Sequence, residues 1–157
     1  MVRCVILSAG RMDSRVMGSS EGMPLATPKP KTLAVDLPPV PESARRARRA
    51  LVAGGLDPDL DHTVSLLVAE LVTNSVRHAS RGGVRVEATM VEGYARVEVI
   101  DNGPAFDPEI RHTVNGFGLR LVDKLASRWG VTREEDGNRV WFEVDRRRRR
   151  FDRERPR

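Results

Sequence analysis

The sequence predicts an α/β (α+β) two-layer sandwich, in which a mixed, mostly antiparallel sheet carries helices on one face. Three observations lead to that class. Val84 to Met90 and Tyr94 to Asp101 alternate apolar and polar residues at period two, and Val91-Glu92-Gly93 between them closes a hairpin. Three other segments carry apolar residues at helical spacing and leave one face polar. Finally, 39% hydrophobic content in 157 residues suffices for one ordinary core, so one domain is expected.

The elements follow in order. Residues 1 to 30 mix Gly, Ser, Pro and Met without period, and Pro24, Pro28 and Pro30 interrupt any regular element. They are expected to form a flexible leader, within which Met17 and Met23 are alternative starts. Thr32 to Leu37 places Leu33, Val35 and Leu37 on one face of a short strand that stops at Pro38-Pro39. Pro41 and Glu42 open a helix with Ala44, Ala47, Ala50 and Leu51 inward, closed by Gly54-Gly55. Its Arg45, Arg46, Arg48 and Arg49 lie outside that stripe and read as a solvated face, with a partner surface as the alternative.

A second helix is predicted from Asp59 or Asp61 to Ala79, with an aspartate capping its free amides. Val64, Leu67, Val68, Leu71 and Ser75 trace its buried side, and Arg81-Gly82-Gly83 breaks it before the hairpin. A third helix is expected to start at Gly116-Phe117-Gly118, to bury Leu119, Val122, Leu125, Ala126 and Trp129, and to end at Trp129-Gly130. Val131 to Arg133 and Arg139 to Val144 then complete the sheet around a Glu135-Asp136-Gly137-Asn138 turn.

Chemistry concentrates on the second helix. Residues four apart stack on one helical face, so Glu70, Asn74 and His78 form a polar ridge beside the apolar stripe. Magnesium takes hard oxygen ligands and usually keeps waters while sharing substrate phosphates, so the Asn74 amide oxygen plus a triphosphate is a sufficient cage. Glu70, one turn earlier, is placed to accept a proton from an attacking hydroxyl. His78 reads as a structural residue at the helix end rather than a base or metal ligand.

Competing chemistries lack their residues. No Gly-x-x-x-x-Gly-Lys-Ser/Thr loop and no His-Arg-Asp loop occurs. His62, His78 and His112 are scattered, with no cysteine pair to complete a zinc site. Cys4 is the single cysteine, so no disulfide can form within the chain, and a reducing, cytoplasmic setting fits. No stretch approaches the apolar length of a membrane span.

The net charge of +5 belongs to residues 145 to 157, where eight arginines face three acidic residues. So dense a block repels itself, and it is expected to be a disordered, solvated tail. Only Phe151 interleaves the arginines, too few aromatics for stacking recognition, so nucleic acid is expected at most as a weak contact through this tail.

Three strings taken together carry a family resemblance: Glu70-Leu71-Val72-Thr73-Asn74-Ser75-Val76-Arg77-His78-Ala79, Asp101-Asn102-Gly103, and Gly116-Phe117-Gly118-Leu119. They resemble the N box and the two glycine boxes of the GHKL (histidine-kinase-like) ATPase superfamily, and the first string is most similar to the form found in anti-sigma-factor serine/threonine kinases. The resemblance spans about residues 32 to 144. It implies a Bergerat-type fold in the segment 31–144, with ATP held between the helical layer and a short lid from Phe106 to Asn115. The implied ATP-binding set is Asn74, Arg77, His78, Asp101, Gly103, Ala105, Gly116, Phe117, Gly118, Leu119 and Arg120, with Mg2+ on Asn74 and Glu70 as the catalytic base. Asp101 would accept the adenine amine.

The implied function is an ATP-binding anti-sigma regulator that phosphorylates a serine or threonine on an anti-anti-sigma (STAS-type) protein and sequesters a sigma factor, with homodimerisation common among its relatives. Two departures from the family pattern leave a non-catalytic ATP-binding partner switch as the alternative. The second glycine of the first glycine box is Ala105. The last strand, Asn138-Arg139-Val140-Trp141, lacks the threonine that commonly supports the adenine aspartate.

Overall fold

The computed structural model describes residues 29–78, 82–103, 117–134 and 137–148. Its elements are β1 (Lys31–Leu37), α1 (Ser43–Ala53), α2 (Pro58–His78), β2 (Val84–Val91), β3 (Tyr94–Asp101), α3 (Phe117–Leu125), β4 (Arg128–Glu134) and β5 (Gly137–Asp145). The strands form one sheet in the order β1-β2-β3-β5-β4, and each described pairing is antiparallel. The expected leader, apart from its last two residues, lies outside the described residues, as do the lid segment and 149–157.

Period-two alternation sets the two faces of the sheet. Val84, Val86, Ala88 and Met90 of β2 and Ala95, Val97 and Val99 of β3 are buried beneath the helices. Phe142 and Val144 of β5 continue that face. α2 lies across it and buries Leu60, Thr63, Val64, Leu67, Val68, Leu71, Val72 and Ser75, which contains the predicted stripe. α1 packs beside α2 through Ser43, Ala47 and Leu51 and leaves all four arginines exposed, as the alanine spacing requires.

The opposite face of the sheet is polar. Arg96 bridges Glu98 and Glu143 at 2.9 Å each and lies 4.2 Å from the centre of the Trp141 ring. Burial pushes the Glu98 carboxyl up, but hydrogen bonds from Arg139 and Arg96 outweigh it and hold the group below its ordinary value.

Two predicted boundaries are corrected. α2 starts at Pro58, and its cap is Asp57 rather than Asp59 or Asp61: the Asp59 N–H donates to Asp57 Oδ1 at 2.9 Å. Asp57 Oδ2 also accepts the Gly93 N–H at 2.7 Å, so one carboxylate ties the helix start to the β2–β3 turn. Those two bonds lower its pKa.

Asp57→Ala is therefore expected to cost about 1 kcal/mol, the typical loss of a helix cap, or a fall of roughly 2–4 °C in the melting temperature. Because the folded pKa lies below the unfolded one, this stabilisation is present above the unfolded carboxylate pKa and is lost as pH falls through the folded value. The gap between wild type and variant should accordingly narrow in melts taken below the ordinary value of 3.8.

The second correction concerns Trp129, which lies on β4, because α3 ends at Leu125. Ser127 is captured by β5, its N–H donating to Glu143 O at 2.7 Å and its Oγ accepting the Asp145 N–H at 2.9 Å. The strand pairs Trp129 with Phe142 and returns the indole to the core that a longer helix would have met. A four-residue apolar spacing fits both paths, and the β5 ladder decides between them.

Beyond β5 the chain makes a short turn in which the Arg146 N–H donates to Gly93 O at 2.9 Å and its guanidinium pairs with Asp59. The first residues of the arginine-rich segment are thus attached at the start of α2, the end of that helix remote from Asn74 and His78.

Candidate functional site

Three chain segments converge at the C-terminal end of α2. The first is the helix itself, where Glu70 and Asn74 are half-buried one turn apart and Arg77 and His78 are exposed at the last turn. The second is the end of β3, which delivers Asp101 and then turns at Asn102-Gly103. The third is the start of β5, whose Asn138 is the cross-strand partner of Asp101.

Asp101 is half-buried and accepts two hydrogen bonds on one oxygen. The Gly103 N–H reaches Oδ1 at 2.9 Å, folding the chain back on the strand end, and Asn138 Nδ2 reaches the same atom at 3.2 Å. Asn138 Nδ2 also donates to the Gly103 carbonyl at 3.3 Å. Asn138 is only 6% exposed, so this amide is a built part of the site. Both of these partners are acceptors, which fixes the NH2 end toward them.

Two glycines permit the convergence. A Cβ on Gly103 would stand 3.0 Å from both Asp101 Oδ1 and the His78 carbonyl oxygen, a tight fit that glycine relieves where the backbone passes against the last turn of α2. A Cβ on Gly137 would land on the carbonyl of Asp101, so β5 can begin beside the carboxylate only with glycine there.

The predicted residues are distributed as follows. His78, Asp101 and Gly103 are brought together, while Glu70 and Asn74 lie farther along α2 at about 1.5 Å of rise per residue. Phe117 and Gly118 open α3, Leu119 is half-buried against the core, and Arg120 is exposed. Ala105 and Gly116 lie outside the described residues. Among the described residues no group of three or more His, Cys, Asp or Glu could hold a metal ion, and no helix is long and apolar enough to cross a membrane.

The last strand carries no threonine beside Asp101, as expected, yet a side chain of β5 does reach the carboxylate. The support is Asn138, an amide in place of a hydroxyl, and it reaches the carboxylate because the β3–β5 register sets the two residues opposite each other. Arg139 and Trp141 of β5 are side-chain donors as well, so only the β3–β5 register singles out Asn138.

The sequence and the fold both have known relatives. The sequence profile described as a histidine kinase-like ATPase domain matches residues 34–144. The serine-protein kinase RsbW of Listeria monocytogenes is 32% identical over 116 residues, covering 59% of this chain and 74% of that protein. The protein of the same name from Listeria innocua matches to the same extent. A crystal structure of the RsbU and RsbW domains of a Mycobacterium tuberculosis protein superposes with a TM-score of 0.55 at 22% identity, a likeness of fold that covers 73% of this chain and 31% of that one.

Proposed function

This chain belongs to the histidine kinase-like ATPase family, and from that premise we propose that it is an ATP-dependent protein serine/threonine kinase of the anti-sigma type. Its substrates would be ATP and a serine or threonine hydroxyl on an anti-anti-sigma (STAS-type) protein, and it would also sequester a sigma factor. The observation that carries this reading is the Asp101 assembly set against the end of the helix that bears Glu70 and Asn74.

The chemistry follows from the residues. With Oδ1 engaged by Gly103 and Asn138, Asp101 presents Oδ2 to the exocyclic amine of adenine, a donor that guanine lacks at that position. Gly103, without a side chain, lets the turn lie close against Asp101 and the last turn of α2. The phosphates run toward the start of α3, where backbone N–H groups and Arg120 favour anions. Asn74 would hold a magnesium ion brought in by the nucleotide, because among the described residues it offers one amide oxygen with no acidic cluster beside it. When bound, the ion neutralises charge on the phosphates.

Glu70 takes the proton of the attacking hydroxyl as the serine Oγ–Pγ bond forms and the bond from Pγ to the β,γ-bridging oxygen breaks, releasing ADP. Most of the rate is owed to holding hydroxyl and phosphoryl group in line.

The test is transfer from γ-labelled ATP, with magnesium, to a co-expressed STAS-type protein of the same organism, with phosphoserine or phosphothreonine located by mass spectrometry. Label on one hydroxyl residue is the expected result. ATP binding without transfer would favour the second reading, a non-catalytic partner switch, whose motive is Ala105 at the second glycine position of the box. Its other motive is the missing threonine on the last strand, where Asn138 donates to Asp101 instead.

A further inference from the structure

We infer that the exposed face of α1 binds the phosphate backbone of a nucleic acid, on a surface separate from the nucleotide site and independent of the kinase reading. Arg45, Arg46, Arg48 and Arg49 make that face. All four lie within about 6 Å of helix axis.

Their placement works against the helix that carries them. Arg45 and Arg49, Arg45 and Arg48, and Arg46 and Arg49 are one turn apart, and like charges at those spacings repel. Arg45 and Arg46 also stand near the start of the helix, where the dipole favours acids, and the first turn of α1 holds no acidic residue. A surface that serves only solubility and helix stability mixes the two signs. Arginines elsewhere show the contrast. Arg85, Arg96 and Arg139 on the polar face of the sheet, and Arg146 beyond β5, each pair with a carboxylate. Among the described residues no carboxylate pairs with the side chains of the four arginines of α1. Their charge is left for a partner.

Charge is segregated along the whole chain. Residues 54–144 hold ten basic against fifteen acidic residues, so the positive excess lies on α1 and in residues 145–157. The fold brings these two segments to adjoining places. Four residues after α1 ends, the Asp57 carboxylate accepts the Gly93 N–H, and Gly93 O in turn accepts the Arg146 N–H. Arg146, Arg147 and Arg148 are exposed there. The arginine-rich end of the chain thus begins beside the C-terminal end of α1, and the basic surface of the helix is continued rather than isolated.

Side-chain types favour phosphate over a protein partner. Protein interfaces are anchored by apolar and aromatic residues, and beside its arginines this face offers only Val52 and Ala53. All four cations are arginine, whose planar fork holds phosphate oxygens in pairs.

The experiment follows the anisotropy of a fluorescein-labelled DNA duplex of about 20 base pairs and mixed sequence, titrated with the full chain from about 50 to 200 mM salt. Wild type is compared with Arg45→Gln/Arg48→Gln/Arg49→Gln. The control, Lys124→Gln/Arg128→Gln/Arg133→Gln, removes the same charge from α3 and β4, at the edge of the sheet opposite β1. Glutamine forms helix about as well as arginine, and the α1 positions are exposed, so the variant keeps its helix. Wild type should bind with an affinity that falls steeply with salt. The α1 variant should lower the slope of log K against log salt by about 2–3 and bind about tenfold or more weakly at the lowest salt, while the control stays within about threefold of wild type.

No binding by wild type at the lowest salt would overturn the inference. Equal losses in the two variants would do so too, because only net charge would then matter, and an unchanged slope in the α1 variant would assign all binding to the arginine-rich end. Poly-L-glutamate is the competitor that separates partner classes. If it displaces the duplex as well as unlabelled DNA does, charge for charge, the surface is one for acidic protein and the inference falls.

Discussion

Glu70→Gln is expected to bind Mg-ATP as wild type does and to transfer the γ-phosphoryl group about 100- to 10,000-fold more slowly, the usual worth of a general base. Glutamine keeps the length and polarity of a half-buried side chain on α2, so only the capacity to accept a proton is lost. Single-turnover transfer separates the chemical step from binding and release. An unchanged single-turnover rate would remove Glu70 from the mechanism and leave positioning as the whole of catalysis.

Asn74→Ala should act on the other substrate-facing term. Its side chain is half-buried one turn beyond Glu70, and the described structure offers no cluster of acidic ligands to take over its role. Affinity for Mg-ATP is expected to fall by about 100-fold, the upper end of what loss of a group supporting a bound metal costs. Affinity for ATP in the presence of a chelator should stay where it was, because the proposed adenine contact at Asp101 is untouched. Titration of each variant with and without magnesium reads the two apart; equal losses under both conditions would contradict the assignment of Asn74 to the metal.

Much of the fold was legible because its signals are local. The α2 stripe from Val64 to Ser75 and the period-two hairpin from Val84 to Asp101 are fixed by spacing within one segment, and each is buried as that spacing requires. The misplaced features depend on partners far away in sequence. Asp57 was passed over as the cap because half of its role is a bond to Gly93, across 36 residues. Trp129 fits a helical stripe by its spacing, and only pairing with Phe142 of β5 turns it into a strand residue.

The candidate site divides in the same way. Glu70, Asn74 and His78 announce themselves by four-residue spacing on one helix, and Asp101-Asn102-Gly103 by its place after a hairpin. Asn138 does not, since nothing local distinguishes it from a turn residue, and its hydrogen bond to Asp101 spans 37 positions. Gly137 was legible only as part of a turn, although its close approach to the Asp101 carbonyl is what allows β5 to start there. Non-local register, set by the whole sheet, is the information that a pass along the chain lacks.

The central claim is that the end of α2, the Asp101 turn and the start of β5 form a magnesium-dependent ATP site. The thermal midpoint of the purified chain, with and without Mg-ATP, tests it most directly. A nucleotide at about a hundred times its dissociation constant stabilises the folded state by roughly 2.7 kcal/mol, so a rise of several degrees is predicted, dependent on magnesium and absent in Asn74→Ala. A wild-type midpoint that does not move with saturating Mg-ATP would contradict it.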